Sequence, residues 1–297
     1  MKKTLFVAVC VVSVSVSVFA QKQITVLEDT FAMSKGTQTG FQVVVPQITL
    51  IEAEKQWLKY VATGTKVKAT AVNGENIQPG AVNPNVSPKP FTIYSKLLET
   101  TEGVRITAWL TENDTIFFSK QVNSDQDLAV QKYIRDFAVA VYHNEVKDEL
   151  QAEQDKQKAL EKELNNLIKE EEKSGKKISE SNRAIQKSTD NIATNNGDIQ
   201  NMAYKISDQK GMVERTASDP NAHKGAKQTL KDLENQRKKL QSQNVAENKN
   251  IDAMNKTIRE EERKITDLKE REVSKTTEIE QQKQKVKEVL TKLEGIR

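Results

Sequence analysis

The residue types that most often carry catalysis or bind metals are few in this sequence. It contains two histidines, His143 and His223, and one cysteine, Cys10. The histidines lie far apart in sequence and in different predicted segments. This separation argues against a histidine-based catalytic triad or a two-histidine metal site within one chain. We therefore expect no catalytic residue, no metal and no cofactor.

Carboxylates are abundant, so their pairing alone says little about function. Asp125 and Asp127 flank a predicted helix start, where the helix dipole stabilises negative charge, and we interpret them as capping residues. Glu112 and Asp114 lie in a predicted turn beside a sheet. An enzyme using these carboxylates, a hydrolase, is the rival class of function. It requires a concave pocket and carboxyl groups with perturbed pKa values.

Aromatic residues give a second candidate site. Trp109 alternates with Ile106 and Ala108 on a predicted strand and therefore points to the opposite face of the sheet. If helices cover only one face, the other face exposes an aromatic patch, which would mark a surface that binds a glycan or a peptide. The candidate binding surface consists of Tyr94, Thr107, Trp109 and Phe117.

The first twenty residues have the pattern of a secretory signal peptide. Lys2 and Lys3 precede an apolar run from 5 to 18, and small residues at Val18 and Ala20 precede Gln21. We predict cleavage after Ala20 and a periplasmic or secreted protein. No later apolar run is long enough for a transmembrane segment.

Export and charge limit the partners that the sequence allows. The mature chain would contain no cysteine and hence no disulfide. Basic and acidic residues are nearly balanced, 46 against 42 over the full chain, whereas a nucleic-acid-binding protein needs a dense basic face. We therefore expect no nucleic acid, and a protein partner or envelope component instead. The sequence also allows the protein to form a homo-oligomer.

Composition divides the chain near Glu145. Residues 21–145 hold both tryptophans and five of the six prolines, whereas 146–297 have one aromatic residue, Tyr204. We predict an α+β globular head over 21–145, with an antiparallel sheet of about five strands and two helices on one face. Its strands are predicted at 24–27, 41–45, 66–72, 91–95, 104–110 and 115–118, its helices at 50–61 and from Ser124 or Asp125, and a loop at 73–90.

Residues 146–297 have apolar residues at a seven-residue period, which predicts a long coiled coil. The helix from Asp125 should enter it without interruption, since no proline separates Phe137 from Leu150. A turn near 218–226 separates two runs of nearly equal length, with Asp219 as a helix cap and Pro220 as the first helical residue. Equal length predicts an antiparallel helical hairpin.

Two registers of this hairpin fit the pattern. In the preferred register Val213 faces Leu233. In the alternative, shifted by one heptad, Asn195 faces Asn244. Either register returns the C-terminus to the head.

The apolar seam also has polar defects. Glu171 and Glu272 each occupy a seam position, and Ser174 and Gly175 follow the first of them. Glycine in a helix costs about 1 kcal/mol relative to alanine. We therefore predict a weak point at 171–175, and stabilisation when both glutamates are replaced by leucine.

Several short motifs recur in a known arrangement: Met33-Ser-Lys-Gly36, Pro46, Trp57 and Tyr60 on the first helix, and Ile93-Tyr94 followed by Trp109. In these motifs the head and tail together resemble a family of uncharacterised exported bacterial proteins. The resemblance implies a small α+β head and a long coiled-coil tail. The strand order of the head also resembles the TATA-binding-protein-like fold, which implies a fold and not DNA binding.

These features favour a non-enzymatic envelope protein that acts in binding or scaffolding. The coiled coil would be a spacer or a partner surface. A glycan- or peptide-binding module on the open sheet face is the alternative, and a carboxylate-dependent hydrolase is the third possibility.

Overall fold

The computed structural model describes residues 23–297. The predicted signal peptide and Cys10 lie outside the described residues. Two compact units are present: unit 1 comprises the residues up to Lys156 together with Gln282–Arg297, and unit 2 comprises Gln157–Gln281. The elements are β1 (Leu27–Met33), β2 (Gly36–Pro46), α1 (Leu50–Val61), β3 (Thr70–Val72), β4 (Glu75–Ala81), β5 (Phe91–Thr100), β6 (Gly103–Thr111), α2 (Ser124–Arg215) and α3 (Pro220–Glu294).

The strands of unit 1 form one antiparallel sheet in the order β1-β2-β6-β5-β4-β3. The expected sheet of about five strands is therefore corrected to six among the described residues. The additional strand is β4, which lies inside the segment 73–90 that was expected to be a loop. Pro79 and Gly80 fit within this strand because its pairing with β5 is irregular between Gln78 and Ala81.

Of two other predicted strands, one is shorter than expected and one is absent. The strand expected at 66–72 is reduced to Thr70–Val72, whose three residues are exposed. The strand expected at 115–118 is not formed, and Phe117 makes one isolated bridge to Thr111. The Thr111 hydroxyl donates to the Ile116 carbonyl oxygen at 2.7 Å and accepts from the Asp114 amide at 3.0 Å. These bonds satisfy a compact turn, so the chain needs no strand ladder there.

One face of the sheet carries the core of unit 1, and both α1 and the first turns of α2 pack on it. Val43 of β2 and Ile106 of β6 are almost fully buried there. Trp57 of α1 is fully buried and meets Phe137 of α2 edge to face, with ring centroids 4.9 Å apart. Val289 of α3 also belongs to this core. Besides the two helices that were predicted, a third helix thus contributes to this core.

The long helices begin at side-chain caps. Asn123, rather than the expected Ser124 or Asp125, caps α2, because its Oδ1 accepts from the amides of Asp125 and Gln126. Asp219 caps α3 in the same way, as predicted, and Pro220 is its first residue. The uninterrupted helix predicted from the head into the coil is confirmed as α2.

Among residues 23–297, no helix combines the length and the apolar character that crossing a membrane requires.

Candidate functional site

The four residues of the predicted binding surface lie together on the second face of the sheet, but they are buried. Tyr94 on β5 and Trp109 on β6 are cross-strand partners, and Phe117 packs beside them. Their exposed fractions are 4%, 1% and 6%, and that of Thr107 is 7%. The expectation of an exposed aromatic patch was therefore wrong, although the grouping of these residues was right. We call Tyr94, Trp109 and Phe117 the outer-face cluster.

The hairpin of β1 and β2 covers the outer-face cluster. Within the described sheet, β2 pairs with β6 from Phe41 to Pro46, whereas Gly36–Gly40 pair only with β1. The distal half of the hairpin therefore leaves the main sheet. Phe31 and Met33 of β1 pack against the cluster. Sequence periodicity could not show this, because the cover comes from the bend of a strand pair and not from a helix.

Gly40 marks the point where the hairpin passes over the cluster. A Cβ atom added at this glycine would lie 2.7 Å from both Cδ1 and Nε1 of the Trp109 ring. Such a contact is shorter than carbon atoms tolerate, so a glycine is needed for the close approach of the backbone. The buried Trp109 Nε1 has no hydrogen-bond partner among the described residues.

The tip of the hairpin is fixed to the far side of the sheet by Glu75. This residue lies on β4, and its side chain is buried to 5% exposure. Its Oε1 accepts from the Ser34 amide at 2.8 Å, and its Oε2 accepts from the Ser34 hydroxyl at 2.7 Å. Because β6 and β5 lie between β2 and β4 in the sheet, the hairpin spans both strands to reach this carboxylate.

Lys35 makes the second attachment of the tip. Its Nζ lies 3.2 Å from Asp114 Oδ2 and 5.1 Å from the centre of the Tyr94 ring. The Tyr94 hydroxyl in turn donates to Asp114 Oδ1 at 3.0 Å. The contact with Tyr94, followed by that with Asp114, raises the pKa of Lys35, and burial raises the pKa of Tyr94. Lysine and tyrosine both keep their protons at neutral pH in this arrangement.

The carboxylates of the rival hydrolase hypothesis have different partners. Asp114 belongs to the attachment just described. Glu112 accepts from the Ser87 hydroxyl at 2.6 Å, and its other oxygen lies 3.9 Å from Lys89 Nζ. The two carboxylates thus act in separate contacts that hold loops in place.

Asp127 is a further carboxyl group with an unusual environment, and sequence reasoning treated it only as a capping residue. It is 2% exposed, and its Oδ2 accepts from Gln131 at 2.8 Å. Its Oδ1 has no hydrogen-bond partner within residues 23–297. Burial, followed by the negative charge of Glu28, raises the pKa of Asp127, while Gln131 and Lys120 oppose this shift.

In unit 2 the two long helices are antiparallel, and polar side chains join them. Asn195 donates to Asn244 at 2.8 Å, and Lys177 donates to Glu261 at 2.6 Å. Nearer the ends of the unit, Lys275 Nζ lies 2.9 Å from Glu163, and Gln209 donates to the Ala226 carbonyl oxygen at 3.0 Å. Later positions on α2 thus meet earlier positions on α3, as in an antiparallel pair.

These contacts correct the register of the hairpin. The preferred register, in which Val213 faces Leu233, is wrong, because the Val213 carbonyl oxygen is instead 3.0 Å from His223 Nδ1. The alternative register with Asn195 against Asn244 is the one observed. In this register the two half-buried amides satisfy each other, whereas an amide left unpaired in the seam is costly.

The predicted polar defects of the seam differ from one another in their surroundings. Glu171 lies 3.3 Å from Lys269 Nζ, and Ser174 is buried to 1% exposure. Glu272 Oε1 is buried without a hydrogen-bond partner in the described part of the chain. Of the two glutamates, only Glu272 therefore leaves a carboxylate oxygen uncompensated.

His143 is an exposed residue of α2, and His223 lies in the first turn of α3. The described residues contain no group of three or more histidine, cysteine, aspartate or glutamate side chains placed to hold a metal ion. Neither a protein-family model nor a curated protein matches this sequence.

Proposed function

We propose that the protein is a binding or scaffolding protein of the cell envelope, and that the paired helices of unit 2 are its partner surface. Export rests on the signal-peptide pattern of residues 1–20. A relationship to exported proteins with an α+β head and a coiled-coil tail is part of the same proposal.

The observation that carries the proposal is the register of unit 2. Side-chain hydrogen bonds join the helices at several levels, including Ser188 to Glu247 at 2.6 Å and Asn195 to Asn244 at 2.8 Å. The Ser188 and Asn191 side chains hold the pKa of Glu247 below its usual range. Polar seam contacts of this kind stabilise little but select one register. A long helical pair with one register presents its outer side chains in a fixed order, as a partner surface requires.

Exposed apolar side chains supply candidate contacts on this surface. Tyr204 is the only aromatic residue of 146–297 and is 74% exposed. Val273 is 69% exposed and Val245 is 56% exposed. Tyrosine is enriched among the residues that dominate binding energy at protein interfaces. The seven-residue period further supports a left-handed coiled coil for the pair.

Site-specific photocrosslinking in cells that export the full-length protein tests the proposal. A photoreactive amino acid replaces Tyr204 in one variant and Glu99, an exposed residue of β5, in the matched variant. We expect a discrete crosslinked product from position 204 and not from position 99. A photoreactive residue in place of Lys205 should give the same product while Tyr204 is present. That product should be lost when Tyr204→Ala is added.

Crosslinks that arise only from position 99 would overturn the partner-surface role of unit 2 and place partner binding on the head. Fractionation of the same cells tests the export part of the proposal, because full-length protein confined to the cytoplasm would contradict it.

A further inference from the structure

The distal half of the β1–β2 hairpin is held differently from the rest of the sheet. From Phe41 to Pro46 β2 is paired with the central strand β6, and Phe41 and Gln42 are paired with β1 as well. Between Gly36 and Gly40 it is paired only by β1, so this part depends on contacts across the outer face. Segments with few backbone bonds to their surroundings open at lower free energy than the core of a sheet.

Phe31 and Met33 supply the apolar part of those contacts, and the polar part is small. The tip is attached by Ser34 to Glu75 and by Lys35 to Asp114 and Tyr94. The Lys35 and Asp114 side chains are 35% and 50% exposed, so water competes with their ion pair. The Glu75 contact is the buried one and is therefore the main attachment.

The closed hairpin also leaves one donor unsatisfied. Trp109 Nε1 is buried beneath Gly40 without a hydrogen-bond partner among residues 23–297. A buried N–H group without an acceptor is unfavourable, and exposure to water or to a ligand would satisfy it. The closed state thus carries a cost that opening removes.

We propose that the distal hairpin is a strap that opens while β5 and β6 stay paired, and that opening uncovers a binding face formed by Tyr94, Trp109 and Phe117. The uncovered face would offer aromatic rings, the indole N–H donor of Trp109 and the Asp114 carboxylate. This combination suits a ligand that has a flat apolar face edged with hydroxyl groups, such as a sugar ring. The inference goes beyond the proposed role of unit 2 and concerns unit 1 alone.

Hydrogen exchange of the full-length protein, followed by mass spectrometry, tests the strap. In the wild-type protein we expect amides of 30–40 to exchange at least about tenfold faster than those of 104–110. Glu75→Ala removes the main attachment and should accelerate exchange at 30–40 by a further factor of about ten, with 104–110 unchanged. Acrylamide quenching of tryptophan fluorescence should rise in the same variant, because Trp109 becomes accessible while Trp57 stays in the core.

Glu99→Ala is the matched control, since it removes an exposed glutamate from β5, and it should change neither measurement. Equal exchange of 30–40 and 104–110 in the wild-type protein would overturn the proposal, because the hairpin would then open only when the whole sheet unfolds. Acceleration of both segments by Glu75→Ala would overturn it as well, since Glu75 would then stabilise the entire sheet.

Discussion

At the residue scale, the burial of Asp127 predicts that the stability of the fold depends on pH. Its pKa is raised by burial and by Glu28, so the folded state binds this proton more tightly than the unfolded chain does. The associated stability is present at acidic pH and is lost as pH rises through the raised pKa of the folded state. Asp127→Asn removes the ionisation and should therefore raise the melting temperature at pH 7 but not at pH 3.

Thermal unfolding followed by circular dichroism from pH 3 to pH 8 measures this difference. Asp125→Asn is the matched control, because Asp125 lies in the same helical turn and is exposed. It should lower the melting temperature slightly at pH 7, through loss of a favourable charge at the helix start. An Asp127→Asn variant that is destabilised equally at all pH values would contradict the account.

Gly40 supports a second prediction at this scale. Gly40→Ala places a methyl group 2.7 Å from the Trp109 ring, and relief requires the hairpin to move away. We expect a loss of about 1–3 kcal/mol in the free energy of unfolding, as for other overpacked sites. Urea denaturation gives this value.

Gly175→Ala provides the comparison, because an added Cβ there meets no described atom. In a helix this replacement should stabilise the protein by up to about 1 kcal/mol. An unchanged free energy of unfolding for Gly40→Ala would show that the hairpin does not lie on Trp109.

At the element scale, two glutamates occupy equivalent seam positions in the sequence but differ in their contacts. Glu171 is paired with Lys269, whereas Glu272 Oε1 is buried without a partner in the described residues. Glu272→Leu should therefore raise the melting temperature, since it removes an uncompensated buried oxygen and adds apolar contact. Glu171→Leu should change it less, because the gain in apolar contact is offset by the loss of the ion pair.

Differential scanning calorimetry of both single variants and of the double variant tests this order. A larger increase for Glu171→Leu than for Glu272→Leu would contradict the observed pairing.

Some helices and strands could be predicted from the sequence, and others could not. Alternation identified β6, and the helix caps and apolar period located α1, α2 and α3 closely, because local propensity and burial act together in these segments. Strand β4 was missed because Pro79 and Gly80 suggested a loop. The Asn73-Gly74 turn, where both residues have positive φ, is the local signal that marks the β3–β4 hairpin.

The candidate site was predicted in part, for a physical reason. The pleat of the strands grouped Tyr94, Thr107 and Trp109 on one face, and that grouping is observed. Their burial depends on the separation of β2 from β6 before Phe41 and on the Ser34–Glu75 contact, which joins residues 41 positions apart. A contact of that kind leaves no periodic trace in the sequence.

At the scale of the whole molecule, the N-terminal and C-terminal segments of unit 1 pack in one hydrophobic core. Val289 is 8% exposed and packs in the hydrophobic core, and Lys292 bonds to Glu149 at 2.7 Å. Val289→Ala should lower the free energy of unfolding by about 1–3 kcal/mol, through the cavity it leaves. Leu290→Ala removes a larger but 42% exposed side chain and should cost less.

Denaturant unfolding of the full-length variants measures both values. A greater loss for Leu290→Ala would show that the C-terminal residues do not pack in unit 1 as described.

Across the molecule, α2 and α3 pair within one chain, antiparallel and in the register that joins Asn195 to Asn244. In a Cys10→Ser background, the pair Asn195→Cys and Asn244→Cys should be joined by a short bis-maleimide within the monomer. The pair Met202→Cys and Asn244→Cys, displaced by one heptad or roughly 10 Å, should react poorly. Preferential crosslinking of the second pair would contradict the register, and crosslinks formed only between chains would contradict the intrachain hairpin.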